Sequence, residues 1–209
     1  MSKPNATKLA VYAVGISAIL LLSASCVPPT KAVTAEDRKA AFHQLPDRAT
    51  VIIASGDSTS VLVVDENKAC LAAPRGHDYF VAKMTPGVHE IIALGNGNDG
   101  KGVRIDVEGG KTYVLTATKD PSHRDLPSYA ALKVSDAHNR DAADRLLRGN
   151  TMGAVDSAKC PEFIKKFWYE DGTFDKLVAS LKGVLASSPP VMAPGDGVPL
   201  TGNWFSETK

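Results

Sequence analysis

A chain of 209 residues with 44% hydrophobic and 22% charged side chains is long enough for one ordinary domain with appendages, and too apolar to be disordered throughout. Its 24 basic and 23 acidic residues give a net charge of +1 with no basic run, which argues against nucleic acid as the main partner. Lys3 and Lys8 are the only charges before Cys26, so a chain beginning at Cys26 carries 22 basic against 23 acidic residues.

Residues 1–25 read as an export signal. Lys3 and Lys8 form its positive end, Leu9 to Leu22 is apolar and uncharged, and Ser23-Ala24-Ser25 precede Cys26. Leu22-Ser23-Ala24-Ser25-Cys26 resembles a bacterial lipobox, in which Cys26 becomes the lipidated first residue, although Ser23 stands where lipoboxes usually carry an aliphatic side chain. Val27 after Cys26 resembles outer-membrane sorting. Ordinary cleavage with secretion, and a retained membrane anchor, are the alternatives; the apolar run falls short of the roughly 20 residues of a span. Residues 26–48 then read as a tether with Pro28-Pro29 followed by a short helix from Thr34 to Leu45, capped by Thr34, with Glu36 and Asp37 in its first turn and Pro46 as its stop.

From residue 49 to 134 the pattern is that of strands. Val51–Ala54, an all-apolar Val61–Val64 buried on both faces, Ala69–Ala72 and Tyr79–Met84 are separated by turns at Ser55–Thr59 and Pro74-Arg75-Gly76. Pro86-Gly87 marks a turn before a strand from Val88 to Leu94, and 96–100 reads as a hairpin loop. Val103, Ile105 and Val107 alternate with Arg104, Asp106 and Glu108, the signature of a half-buried strand whose charges lie in water. Gly109-Gly110 turns the chain into Thr112–Ala117, and Ala130–Val134 closes the set. About seven to eight short strands at this spacing suit an antiparallel β-sandwich or small barrel.

Met84-Thr85-Pro86-Gly87-Val88-His89, followed by Val107-Glu108-Gly109-Gly110-Lys111-Thr112-Tyr113, resembles the PEGA-like and related uncharacterised β-sandwich domains of bacterial surface lipoproteins. There a Pro-Gly-x-His turn opens one strand and a Gly-Lys-x-Tyr turn opens another. The likeness covers about residues 50–134, and Val61 to Asn67 lacks the Asp-Gly turn that the pattern would place there. It implies a binding or structural role, with no catalytic residues or cofactor to carry over.

Residues 135–186 read as helical. Ser135 caps a first helix to Leu147, ended by Gly149-Asn150. Pro161 opens a second with Phe163, Ile164 and Phe167 on one face. Thr173 caps a third in which Leu177, Leu181 and Leu185 recur at spacing four. These helices are expected to cover an open sheet face or edge. The Pro/Gly-rich residues 187–209 read as a disordered tail, with Trp204-Phe205 near its end.

Three cysteines are present. With Cys26 acylated, Cys70 and Cys160 are expected to form a disulfide outside the cytoplasm; two separate thiols are the alternative. His43, His77, His89, His123 and His138 show no zinc-ligand spacing, and the loop 96–100 lacks the ligand series of a calcium site. No nucleophile elbow or phosphate loop is legible. The expectation is a non-enzymatic, lipid-anchored envelope protein facing the periplasm or outer membrane, acting by contact with an envelope protein. A glycan-binding module using Tyr79, Tyr113 and Tyr129 is the alternative, and an enzyme with a spatially assembled site is a third reading.

Overall fold

The computed structural model of the chain describes residues 29–55, 62–94, 100–119, 127–168 and 173–200. The expected signal, Cys26, the loops at 56–61, 95–99 and 120–126, His123 and the Trp204-Phe205 pair lie outside the described residues.

The chain is mainly β with helices. In order it forms β1 (Thr30–Lys31), α1 (Ala35–Phe42), β2 (Ala49–Ser55), β3 (Leu62–Asp65), β4 (Cys70–Ala72), β5 (Asp78–Met84), β6 (Gly87–Leu94), β7 (Gly100–Val107), β8 (Thr112–Lys119) and β9 (Pro127–Leu132). Then follow α2 (Ala137–Gly149), β10 (Thr151–Met152), β11 (Ala154–Val155), α3 (Cys160–Trp168), α4 (Thr173–Leu185) and a 3₁₀ turn at Pro194–Asp196. One sheet has the order β10-β5-β2-β8-β9, a second β4-β3-β6-β7, and β1 pairs with β11 alone. The purely antiparallel pattern expected from the sequence holds for the second sheet. In the first, β2 runs parallel to β8 and β10 parallel to β5.

β2 is the centre of the first sheet, and all seven of its residues are buried. Ala49, Val51 and Ile53 enter a large apolar cluster together with Phe80, Tyr113 and Leu115 of their own sheet and Val63, Ile91, Val103 and Ile105 of the second. Ile52 and Ala54 point the other way, into a smaller cluster under α1 and α2 with Val114, Val134, Ala143, Leu147 and Met152. The unbroken Val-Ile-Ile run therefore reflects a strand covered on both faces.

The second sheet is also covered on both faces, which corrects the expectation for β7. Val103, Ile105 and Val107 are buried as the alternation requires. The opposite face, however, lies against α4 rather than water: at Gly100 the packed side chains are Leu177 and Leu181, and at Gly102 the packed side chain is Leu185. Arg104, on that face, donates from Nη1 to the carbonyls of Ala186 (3.3 Å) and Ser188 (3.0 Å), just beyond the end of α4. The spacing-four leucines thus meet a strand that is bare of side chains where the helix crosses it.

Residues 187–200, expected as a disordered tail, run along the molecule as a strap. Met192 is 1% exposed and bridges Ile105 in parallel; Val191 N donates to Arg104 O and Asp106 N to Met192 O. Thr112 and Val198 exchange two backbone hydrogen bonds. The strap thereby occupies the otherwise open edge of β7, where unpaired N–H and C=O groups would invite another chain.

Local signals held at the turns and caps with shifts of a few residues. Thr34 caps α1 through a reciprocal box with Asp37, but the helix ends at Phe42, well before Pro46. Asp136, not Ser135, caps α2, because its carboxylate reaches Asn139 N. Gly87 and Gly110, the two turn glycines of the strand motif, have φ of +121° and +72°. The turn after β3 needs no Asp-Gly: Asp65 Oδ1 accepts from Asn67 N and Ala69 N, and Lys68 takes the left-handed conformation at φ +66°.

Two glycines test this packing with opposite signs. Gly102→Val forces a side chain into Leu185 and is expected to cost about 1–3 kcal/mol. Gly183, within α4, has open space around it, so Gly183→Ala is expected to stabilise by about 0.5–1 kcal/mol. The midpoints of urea unfolding measure both.

Candidate functional site

Of the expected site residues that the structure describes, Cys70 and Cys160 are brought together, near the pole where the described chain begins. Pro29 is buried, and its carbonyl accepts a 2.7 Å hydrogen bond from Asp156 N. Thr30 and Lys31 then pair with Val155 and Ala154. The tether expected for residues 26–48 is therefore not free along its length: it is part of the fold from residue 29. Lys31 Nζ reaches Asp37 at 3.0 Å and so ties β1 to α1. Backbone and hydroxyl hydrogen bonds from Thr34, the backbone one foremost, and the Lys31 ammonium bring the Asp37 carboxyl down to about 2. Asp156, held by the Lys159 ammonium at 2.9 Å, is likewise lowered.

Next to this pole lies the cysteine pair. Cys70 on β4 and Cys160 at the first turn of α3 are bonded across 90 residues, with Cα atoms 6.1 Å apart. Cys160 is buried and Cys70 half-buried, both within or against the large core. The bond fixes the start of α3 to the edge strand β4, beside β11. Two further contacts hold the neighbouring turn against α4: Lys68 pairs with Asp175, and Lys182 Nζ donates to Glu66 O at 2.7 Å.

The histidines do not gather. His43 caps α1, His77 accepts from Thr151 N through its carbonyl, and His138 lies in the first turn of α2. His89 is the best-held: Nε2 meets Thr85 O at 2.8 Å and Nδ1 meets Glu66 Oε1 at 3.1 Å. Both ring nitrogens thus face oxygen atoms, one of the backbone and one of a carboxylate. Sequence spacing gave no hint of Glu66, which arrives from the turn after β3. No group of three or more His, Cys, Asp or Glu side chains suited to a metal occurs among the described residues. Lys83, also unmarked in the sequence, donates to His43 O (2.8 Å) and Thr50 Oγ1 (2.7 Å), and its partial burial lowers its pKa.

The three tyrosines named as sugar-stacking candidates face inward. Tyr79 is buried beside Phe42, with ring centroids 6.4 Å apart. Tyr113 is fully buried; its hydroxyl accepts from Glu108 N at 2.9 Å and donates to Pro194 O at 3.1 Å. Tyr129 packs against the large core with a buried hydroxyl that has no hydrogen-bond partner among the described residues. Tyr79 and Tyr113 therefore offer no exposed ring face for stacking, and Tyr129 is half-buried.

Comparison of the chain with protein-family models, with curated proteins and with solved structures finds no match. Among the described residues no helix is long and apolar enough to cross a membrane.

Burial raises the pKa values of Tyr79, Tyr113 and Tyr129 above the usual phenol value, Tyr129 the furthest. Folding therefore favours their neutral form. That contribution is complete below the unfolded value of about 10 and is lost as pH climbs toward the folded values. An alkaline titration is expected to show phenolate absorbance from these three only as the protein unfolds; their ionisation near pH 10 in a still-folded chain contradicts this. For the cysteines, mass analysis after alkylation without reductant is expected to find neither Cys70 nor Cys160 modified. The double variant Cys70→Ser/Cys160→Ser is expected to lose about 2–5 kcal/mol in denaturant unfolding.

Proposed function

We propose that the chain is a bacterial envelope lipoprotein, fixed to a membrane through an acylated Cys26, whose folded part acts by contact rather than by catalysis. Its two sheets are read as the layers of a PEGA-like sandwich with helices on the outer faces. The observation that carries the reading is the Cys70–Cys160 bond in a chain whose first 25 residues have the form of an export signal. A disulfide of this separation is stable in an oxidising compartment and rare in the cytosol. The burial of Tyr79 and Tyr113 counts against the glycan-binding alternative, because stacking on a sugar needs an exposed ring. The role that remains is a structural or protein-binding one at the membrane surface.

The test is fractionation of cells producing the full chain. The wild type is expected in the membrane fraction and to incorporate labelled fatty acid, and Cys26→Ala is expected to lose the label and leave that fraction. Unchanged partition of Cys26→Ala refutes the lipid anchor. Crosslinking followed by purification of the membrane-bound form then identifies the envelope component that it touches.

A further inference from the structure

We infer that the pole formed by β1, β11 and the segment 156–159 lies against the bilayer, held there by the shortness of the chain between the lipid and the fold. This rests on the acylation of Cys26 proposed above. The chain is fixed from Pro29 onward: that residue is buried, its carbonyl accepts from Asp156 N at 2.7 Å, and the next two residues are paired with β11. Three peptide units separate Cys26 from Pro29, and they reach at most about 11 Å even when fully extended. The acyl chains begin at the edge of the hydrocarbon, and the headgroup layer above it takes up roughly 5–8 Å of that reach. Pro29 is then within a few ångströms of the headgroups.

The folded part is much larger than its leash. A domain of this length has a radius of gyration of roughly 16 Å. A body of that size on an 11 Å tether cannot turn freely, so the side on which the tether enters stays toward the lipid. Exposed on that side are Lys31, Ser157, Ala158 and Lys159. Lys31 and Lys159 are paired with Asp37 and Asp156, so the contact surface carries no large uncompensated charge from these four groups. Proximity to the membrane is set by chain length and not by attraction to anionic lipid. The opposite edge of the second sheet, β7 with its strap, is three strand spacings from β4, about 14 Å. It is the edge held away from the bilayer.

The test uses the full mature, lipidated chain reconstituted into vesicles of zwitterionic phosphatidylcholine containing a headgroup spin-label quencher. A small fluorophore is placed by Lys31→Cys, whose side chain is 48% exposed, and in a second protein by Val191→Cys on the strap. Quenching is expected to be several-fold stronger at 31 than at 191, and unchanged by salt. In a variant with about 20 Gly/Ser residues inserted between Val27 and Pro28, a coil spanning roughly 25 Å, the difference is expected to vanish while the protein stays on the vesicles. Equal quenching at 31 and 191 in vesicle-bound wild type refutes the orientation while leaving the anchor intact. Quenching at 31 that survives the insertion refutes the leash as its cause. Wild-type chain that does not sediment with the vesicles refutes the anchor and this orientation with it.

Discussion

Every side chain of β2 is out of water, so neither of its faces can be left bare. The sequence Ala-Thr-Val-Ile-Ile-Ala-Ser demands cover on two sides. On one side the second sheet supplies Val63, Ile91, Val103 and Ile105; on the other α1 and α2 supply Phe42, Ala143 and Leu147. The second sheet has the same need one layer out, since Ile92 and Leu94 are as buried as Ile91 and Ala93. That need explains why a carboxy-terminal helix with leucines at spacing four follows the strands. The layering is thus a consequence of two doubly apolar strands, each burial adding roughly 1.5–3 kcal/mol per large side chain.

The elements that follow from local chemistry were legible in the residues themselves. The alternation of Val103, Ile105 and Val107, the Pro86-Gly87 and Gly109-Gly110 turns, the Thr34 cap and the leucine face of α4 each need only a window of a few residues. What was not legible depends on partners distant in the chain. The parallel pairing of β2 with β8 leaves no mark on either strand. β1, β10 and β11 are two residues long, too short for any periodicity to exist. Arg104 reads as a solvent-facing charge because nothing near it in sequence says that α4 ends beside it. The strap was misread for a related reason: its Pro/Gly content resembles disorder, yet a segment that pairs along an edge needs only a few backbone groups and one buried Met192.

The candidate site divides in the same way. Cysteine parity was enough to bring Cys70 and Cys160 together as one of two possibilities, because compartment chemistry bears directly on them. The closeness of that bond to the entry of the chain at Pro29 was invisible, since it depends on β11 pairing with β1 and also touching β4. Glu66 comes to His89 from the turn after β3, and Lys83 reaches His43 O from β5, so both depend on how the assembled sheets are placed. For the tyrosines, a ring in a strand reads identically whether it points to a sugar or to the core.

The strap also sets an order of events. Residues 191–198 follow every strand and α-helix of the described fold in chain order, yet they close the edge of β7 and cover Tyr113, which belongs to the core begun by β2. A nascent chain released up to α4 still has an unclosed sheet margin, so closure waits for residues 191–198, and until then a neighbouring copy can occupy the vacant place. A premature stop after α4 would leave that competition permanent, turning a fold that covers its own margin into one that recruits its own kind.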